Sequence, residues 1–147
     1  MNSSLIKKFE LKTNTMKNQN DILNLLKNAI SAREKAYAKY SKFKVGSAIL
    51  SNTNNLYHGC NIENSSYGAT ICAERVALYT CIASGDQNVT AIAIIADHPT
   101  PIQPCGICLQ VLSEFDHQND MIVIMANLRG DLDITTLSCL IPKAFSL

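Results

Sequence analysis

The chain has 147 residues, a net charge of +1, 47% apolar residues and 17% charged ones. That is one domain's length, enough to bury a single core, and the composition excludes global disorder. The near-neutral charge gives no electrostatic reason to expect nucleic acid or an anionic membrane as partner, and no apolar run approaches a secretory signal or a membrane span.

The first stretch, residues 1–19, is polar and Asn-rich, with Lys7, Lys8, Lys12 and Lys17. It reads as a loose, solvated extension, with Met16 as an alternative start, ahead of a domain over residues 20–147. From Asp21 the pattern turns helical: Asp21 can cap, and Ile22, Leu25, Leu26, Ala29 and Ile30 fall on one face. Val45–Leu50 and Leu56–Asn61 read as strands of a hairpin around Asn52-Thr53-Asn54-Asn55. Residues 64–70 form a loop, and Cys72–Ser84 a helix that Gly85 stops. Val89–Ala96 is continuously apolar and rich in β-branched residues, as a buried central strand requires. Three prolines make Asp97–Pro104 a loop. A short helix over Cys105–Phe115, a buried strand over Met121–Asn127, a turn at Arg129-Gly130-Asp131, a last strand near Ile134 and a helical segment ending before Pro142 complete the chain. The alternation predicts α/β layering.

With a cytoplasmic location implied, the six cysteines stay reduced and favour thiolate chemistry or metal binding over disulfides. Cys72-Ala73-Glu74 opens one predicted helix and Pro104-Cys105-Gly106-Ile107-Cys108 opens another. Three thiolates suit zinc, and three protein ligands instead of four leave a position for water, which separates a catalytic site from a structural one. Three thiolates on a dication leave a net charge of −1 by simple addition, so helix N-termini and the neighbouring Arg75 are needed to moderate it. Glu74, two residues from a ligand, can work at the metal without binding it. Taken singly these features say less: a lone Cys-x-x-Cys is as often redox-active or structural, and a fourth sulfur from Cys60, Cys81 or Cys139 would close the site. A non-ligand Glu beside one ligand, with Pro-Cys-x-x-Cys supplying the others, is the pattern of zinc-dependent deaminases.

Further blocks carry a closer resemblance: Ala32-Arg33-Glu34, Tyr40-Ser41-Lys42-Phe43-Lys44-Val45-Gly46, Cys60-Asn61-Ile62-Glu63-Asn64, Tyr67, Gln110-Val111 and Leu140-Ile141-Pro142. Together with the cysteine motifs they resemble the small homotetrameric cytidine deaminases from about Ala32 to Phe145. The resemblance implies a three-layer α/β/α sandwich with a mixed five-stranded sheet, one zinc per chain and Glu74 as proton carrier. It further implies a nucleoside substrate, pyrimidine salvage, and a tetramer whose sites borrow residues from neighbours. Phe43 would pack on the pyrimidine, Asn61 and Glu63 would bond the ribose, Ala73 would contact substrate, and Tyr67 and Phe145 would reach toward a neighbouring site. Read without the family, Phe43 fits a core better than a stacking platform, and Asn61 with Glu63 fits a polar strand face. Leu109 and Gln103 depart from the family pattern. The rivals are deaminases of antibiotics, deoxynucleotides or RNA bases, and a non-catalytic zinc scaffold or RNA-binding module, the last opposed by the near-neutral charge. Asn61 and Glu63 favour free nucleosides, and Glu74 argues against a scaffold.

Overall fold

The computed structural model describes residues 3–14 and 18–147, so Met16 lies outside the described residues. Two helices open the chain, α1 (Ser3–Thr13) and α2 (Gln19–Glu34). A hairpin follows, β1 (Val45–Ser51) and β2 (Leu56–Cys60), then a 3₁₀ turn at Tyr67–Ala69 and α3 (Ala73–Ala83). After β3 (Val89–Ala96) come α4 (Gly106–Ser113), β4 (Ile122–Asn127), β5 (Leu132–Thr136) and α5 (Leu137–Leu140). The strands form one sheet in the order β2-β1-β3-β4-β5. Only β3 and β4 run parallel, with α4 in the connection that a parallel pair requires. No helix among the described residues is long and apolar enough to cross a membrane.

The central strand divides the core. Successive side chains of β3 point to opposite faces. Ala91, Ala93 and Ile95 join α1 and α2 in one cluster, whereas Ile92, Ile94 and Ala96 join α3 and Leu112 of α4 in the other. The expected three-layer α/β/α sandwich with a mixed five-stranded sheet is therefore present, and Val89–Ala96 is its buried centre.

Two glycines set how closely the helices approach the sheet. A Cβ on Gly46 of β1 would lie 2.0 Å from the Ala29 carbonyl oxygen on α2. A Cβ on Gly59 of β2 would lie 2.4 Å from the Ala77 nitrogen and 2.8 Å from the Ala73 oxygen on α3. Any side chain at Gly59 would push back the first turns of α3, which carry Cys72 and Glu74. Gly85, at φ +99°, takes the left-handed conformation that ends α3, as its stop role requires.

The reading of residues 1–19 as a loose extension is corrected over Ser3–Thr13. Leu5, Ile6 and Phe9 share the spacing of one helix face and are buried in the α2-side cluster. Lys8 Nζ donates to the Arg129 carbonyl, and Lys12 pairs with Asp131 at 3.3 Å. Lysine-rich composition masked a short amphipathic stripe that gains its stability from docking. The start of α2 also moves. Asn18 occupies the N-cap without a side-chain cap bond, and Asp21, expected to cap, lies inside the first turn.

The hairpin turn is tied to the end of α3 by Asp86. Its Oδ2 accepts from Ser51 Oγ at 2.7 Å, Thr53 Oγ1 at 2.7 Å, Tyr57 OH at 2.8 Å and Asn55 Nδ2 at 3.2 Å. The hydroxyls of Thr53, Ser51 and Tyr57 hold this carboxyl down to about 2, against an ordinary 3.8.

Two expectations follow. Phe9→Ala lowers stability in chemical denaturation by about 3–5 kcal/mol, as for a buried aromatic, whereas a solvated extension would lose nothing measurable. The folded pKa of Asp86 lies below its unfolded value, so its contribution is present above pH 3.8 and is lost as pH falls toward 2. Acid unfolding of Asp86→Asn, followed by circular dichroism, is accordingly less steep through that window than that of the wild type.

Candidate active site

Two helix starts meet at one end of the sheet. Cys72 is the N-cap of α3 and Cys105 the N-cap of α4, each in extended backbone. Their carbonyls accept the first intrahelical bonds, from Val76 N at 3.2 Å and Leu109 N at 2.9 Å. Cys108 lies in the first turn of α4, so the Cys-x-x-Cys spacing turns both its sulfurs toward the N-terminus of that helix. Cys72 Sγ stands 3.9 Å from Cys105 Sγ, which stands 3.5 Å from Cys108 Sγ, and all three sulfurs lie within 4.8 Å of one another. Tetrahedral zinc with Zn–S bonds of about 2.3 Å needs sulfurs about 3.8 Å apart, so the donor set and spacing fit that ion. Cys60, Cys81 and Cys139 are not part of this cluster.

The electrostatics favour a thiolate at Cys72. A hydrogen bond from Cys108, with further bonds from Arg75 and Cys105, pulls the Cys72 thiol down to about 5. Donating to the Cys72 sulfur, Cys108 keeps the shared proton, and that bond together with burial pushes the Cys108 thiol up. Replacing such protons by a cation is what metal binding to thiols does. Arg75 Nη2 donates to Cys72 Sγ at 3.6 Å, and the sulfur partners hold the guanidinium above its ordinary value. Two helix N-termini add partial positive charge. Leu109, beside Cys108, packs partly buried against the α3-side core.

Glu74 lies in the first turn of α3 and is only 5% exposed. Burial raises its carboxyl to about 7; a nearby cation would oppose that shift. With Cys72, Ala73 and Cys105 it lines a cavity of about 260 Å³, whose other walls include Phe43, Asn61, Glu63, Ile102 and Gln103. The cavity thus brings together a metal-competent sulfur cluster, a buried carboxyl, an aromatic ring and two polar side chains.

The far wall is built by hydrogen bonds. Asn61 Oδ1 accepts from Val45 N at 2.8 Å and Asn61 Nδ2 donates to the Phe43 carbonyl at 2.9 Å, so this amide fixes the backbone on both sides of Lys44. Glu63 Oε2 accepts from Tyr40 N at 2.7 Å and Ser41 N at 3.2 Å, and the Ser41 hydroxyl donates to Glu63 Oε1. That hydroxyl, assisted by the backbone donors, holds the Glu63 carboxyl below the usual range. Lys42 adopts φ +61°, a left-handed turn that delivers Phe43 to the cavity.

Two further residues lie elsewhere. Tyr67 is 86% exposed and lines an adjoining cavity of about 430 Å³ that shares Ser41, Glu63 and Thr70 with the first. Phe145 is 68% exposed on the C-terminal segment, held by Gln110 through bonds to its carbonyl at 2.9 Å and from its N–H at 3.1 Å, and does not line the cavity of its own chain. Sequence reasoning assigned no role to Ser41 or His98. The His98 ring meets Phe43 edge-on, with centroids 6.4 Å apart and planes at 89°. The polar run Tyr40-Ser41-Lys42 ahead of an aromatic signals a turn, but nothing in sequence pairs His98 with Phe43.

Comparison with known proteins accords with this arrangement. Residues 19–125 match the cytidine and deoxycytidylate deaminase zinc-binding region. Cytidine deaminase of Sporosarcina psychrophila is 46% identical over 126 residues, covering 86% of this chain and 92% of that protein. Cytidine deaminase of Halalkalibacterium halodurans is 48% identical over 122 residues, covering 83% and 92%. The crystal structure of cytidine deaminase from Burkholderia pseudomallei superposes with a TM-score of 0.79 at 44% identity, covering 83% of this chain and 97% of that one. With both halves of the sulfur cluster and the carboxyl between them in place, the chain belongs to the cytidine deaminase family.

Proposed function

We propose that this chain hydrolytically deaminates cytidine and deoxycytidine to uridine and deoxyuridine with release of ammonia, a pyrimidine-salvage reaction of the cytoplasm. The observation that carries the reading is the buried Glu74 carboxyl in the same cavity wall as Cys72 and Cys105 of the three-sulfur cluster. A structural zinc site has no use for a desolvated carboxyl beside it. The names of the relatives support a nucleoside as substrate.

Cys72, Cys105 and Cys108 would hold one zinc ion per chain, which when bound supplies a Lewis acid that acidifies water at neutral pH. Glu74 accepts a proton from the attacking water and delivers it to the ring nitrogen beside the amine-bearing carbon. The water oxygen becomes the new carbonyl oxygen, and Glu74 carries the second proton to the exocyclic amine as the carbon–nitrogen bond breaks. A carboxyl whose burial brings it near neutrality can serve as base and then acid. Arg75 and the two helix N-termini offset the thiolates' excess negative charge.

Phe43 offers an apolar face to the pyrimidine, and Ala73, without side-chain bulk, lets the ring approach the start of α3. A carboxylate has about four lone-pair sites, so Glu63 keeps capacity to accept from a ribose hydroxyl beyond its bonds to Tyr40 and Ser41. Asn61 beside it favours a nucleoside over a free base. The exposed rings of Tyr67 and Phe145 fit contacts to neighbouring copies in a homotetramer.

The first test is zinc per chain together with the ultraviolet absorbance of added cytidine and deoxycytidine. One zinc with conversion to the uridines is expected, and zinc without turnover of either nucleoside would overturn the reading. Glu74→Gln should keep its zinc yet lose turnover by at least ~100-fold, the scale of acid–base losses. Cys105→Ala should instead lose zinc and melt at lower temperature, because metal binding and folding are coupled.

A further inference from the structure

Beyond the residues that face the cavity, one fully buried polar side chain ties the cavity wall to a distant part of the fold. Asn127 ends β4 with no exposure, and its side-chain amide has five hydrogen-bond contacts. Its Nδ2 reaches the carbonyls of His98 and Pro99, each at 3.1 Å, and Asp131 Oδ2 at 2.9 Å. Its Oδ1 accepts from Arg129 N at 3.0 Å and Asp131 N at 2.8 Å. One amide thus joins the 127–131 turn to the 97–104 loop.

That loop is the irregular part of the pocket's wall. It leaves β3 after Ala96, presents His98 edge-on to Phe43, lines the cavity with Ile102 and Gln103, and ends at Cys105. With three prolines and no regular structure, its backbone has few internal bonds to hold it. The 127–131 turn is in turn clamped from outside by α1, where Lys8 bonds the Arg129 carbonyl and Lys12 bonds Asp131. Gly130, at φ +92°, leaves the space that the Lys8 stem fills. The family match begins at residue 19, so this clamp lies outside it.

We propose that Asn127 is a positioning residue for the nucleoside pocket: its amide sets the first residues of the 97–104 loop, and so the place of His98 against Phe43, while α1 steadies the turn from which it acts. The inference rests on the proposed nucleoside site but assigns a role to a residue that touches neither substrate nor metal. Asn127→Asp keeps the shape and both acceptor bonds on Oδ1, but turns the donor into a second carboxylate oxygen facing two carbonyls and Asp131.

The test is the holoenzyme of Asn127→Asp, alone and with Asp131→Asn, beside wild type. Zinc per chain should stay unchanged, while KM for cytidine and the Kd of uridine by calorimetry rise about tenfold, the scale of one buried hydrogen bond, with kcat changed much less. Asp131→Asn relieves the carboxylate repulsion and should restore the melting temperature without restoring KM, because it returns no donor to His98 and Pro99. His98→Ala, which leaves β4 untouched, should raise KM similarly and serves if the first variant does not fold. Unchanged KM in Asn127→Asp or in His98→Ala, or rescue of KM together with stability by Asp131→Asn, would overturn the role. Absence of turnover by wild type would instead overturn the proposed reaction, so the two failures are distinguishable.

Discussion

Bringing three sulfurs within bonding reach of one ion is the constraint around which the molecule is arranged. It requires the N-termini of α3 and α4 to converge, although α3 follows the hairpin and α4 sits in the β3–β4 crossover. Placing Cys72 and Cys105 as N-caps lets each sulfur project beyond its helix, where the unpaired N–H groups of the first turn stabilise negative charge. Any error in the relative position of the helices would separate the sulfurs. The sheet therefore has to act as a rigid template.

Rigidity comes from several local solutions. The centre of the sheet is β3, buried on both faces, so α1 and α2 on one side and α3 and α4 on the other refer to the same strand. Gly59 lets α3 settle directly on β2, and the backbone approach there leaves no freedom for the helix to slide. Asp86 ties the hairpin to the C-terminal end of α3, distant in the chain from its cysteine end. These contacts transmit no chemistry. They hold its geometry.

The pocket wall opposite the sulfurs follows a different logic. There the backbone is irregular, and side-chain amides and carboxylates replace sheet bonds: Asn61 pins the strand start around Phe43, Glu63 caps the turn before it, and Asn127 anchors the 97–104 loop. Irregular backbone held by polar side chains can take a shape that no strand or helix offers, and Asn127, the fully buried one of the three, is partnered on both ends of its amide. The same Glu63 that organises this loop is the carboxylate proposed to meet a ribose hydroxyl, so structure and recognition would share one group.

How much of this the sequence determined depends on whether the signal was local. The motif Cys72-Ala73-Glu74 with Cys105 and Cys108 declares its chemistry through residue type and spacing, because ligand count and helix-start position are local properties. The β-branched run of Val89–Ala96 and the Gly85 stop were legible for the same reason. The α1 helix was not: its stripe of Leu5, Ile6 and Phe9 is too short to stand out among lysines and is stable only when docked. Nor could sequence show that Asn18 and not Asp21 takes the cap position, that His98 stands against Phe43, or that Asn127 reaches across to His98 and Pro99. Those are contacts between segments far apart in the chain, and only the packing of the sheet and its two helical layers decides which of them meet.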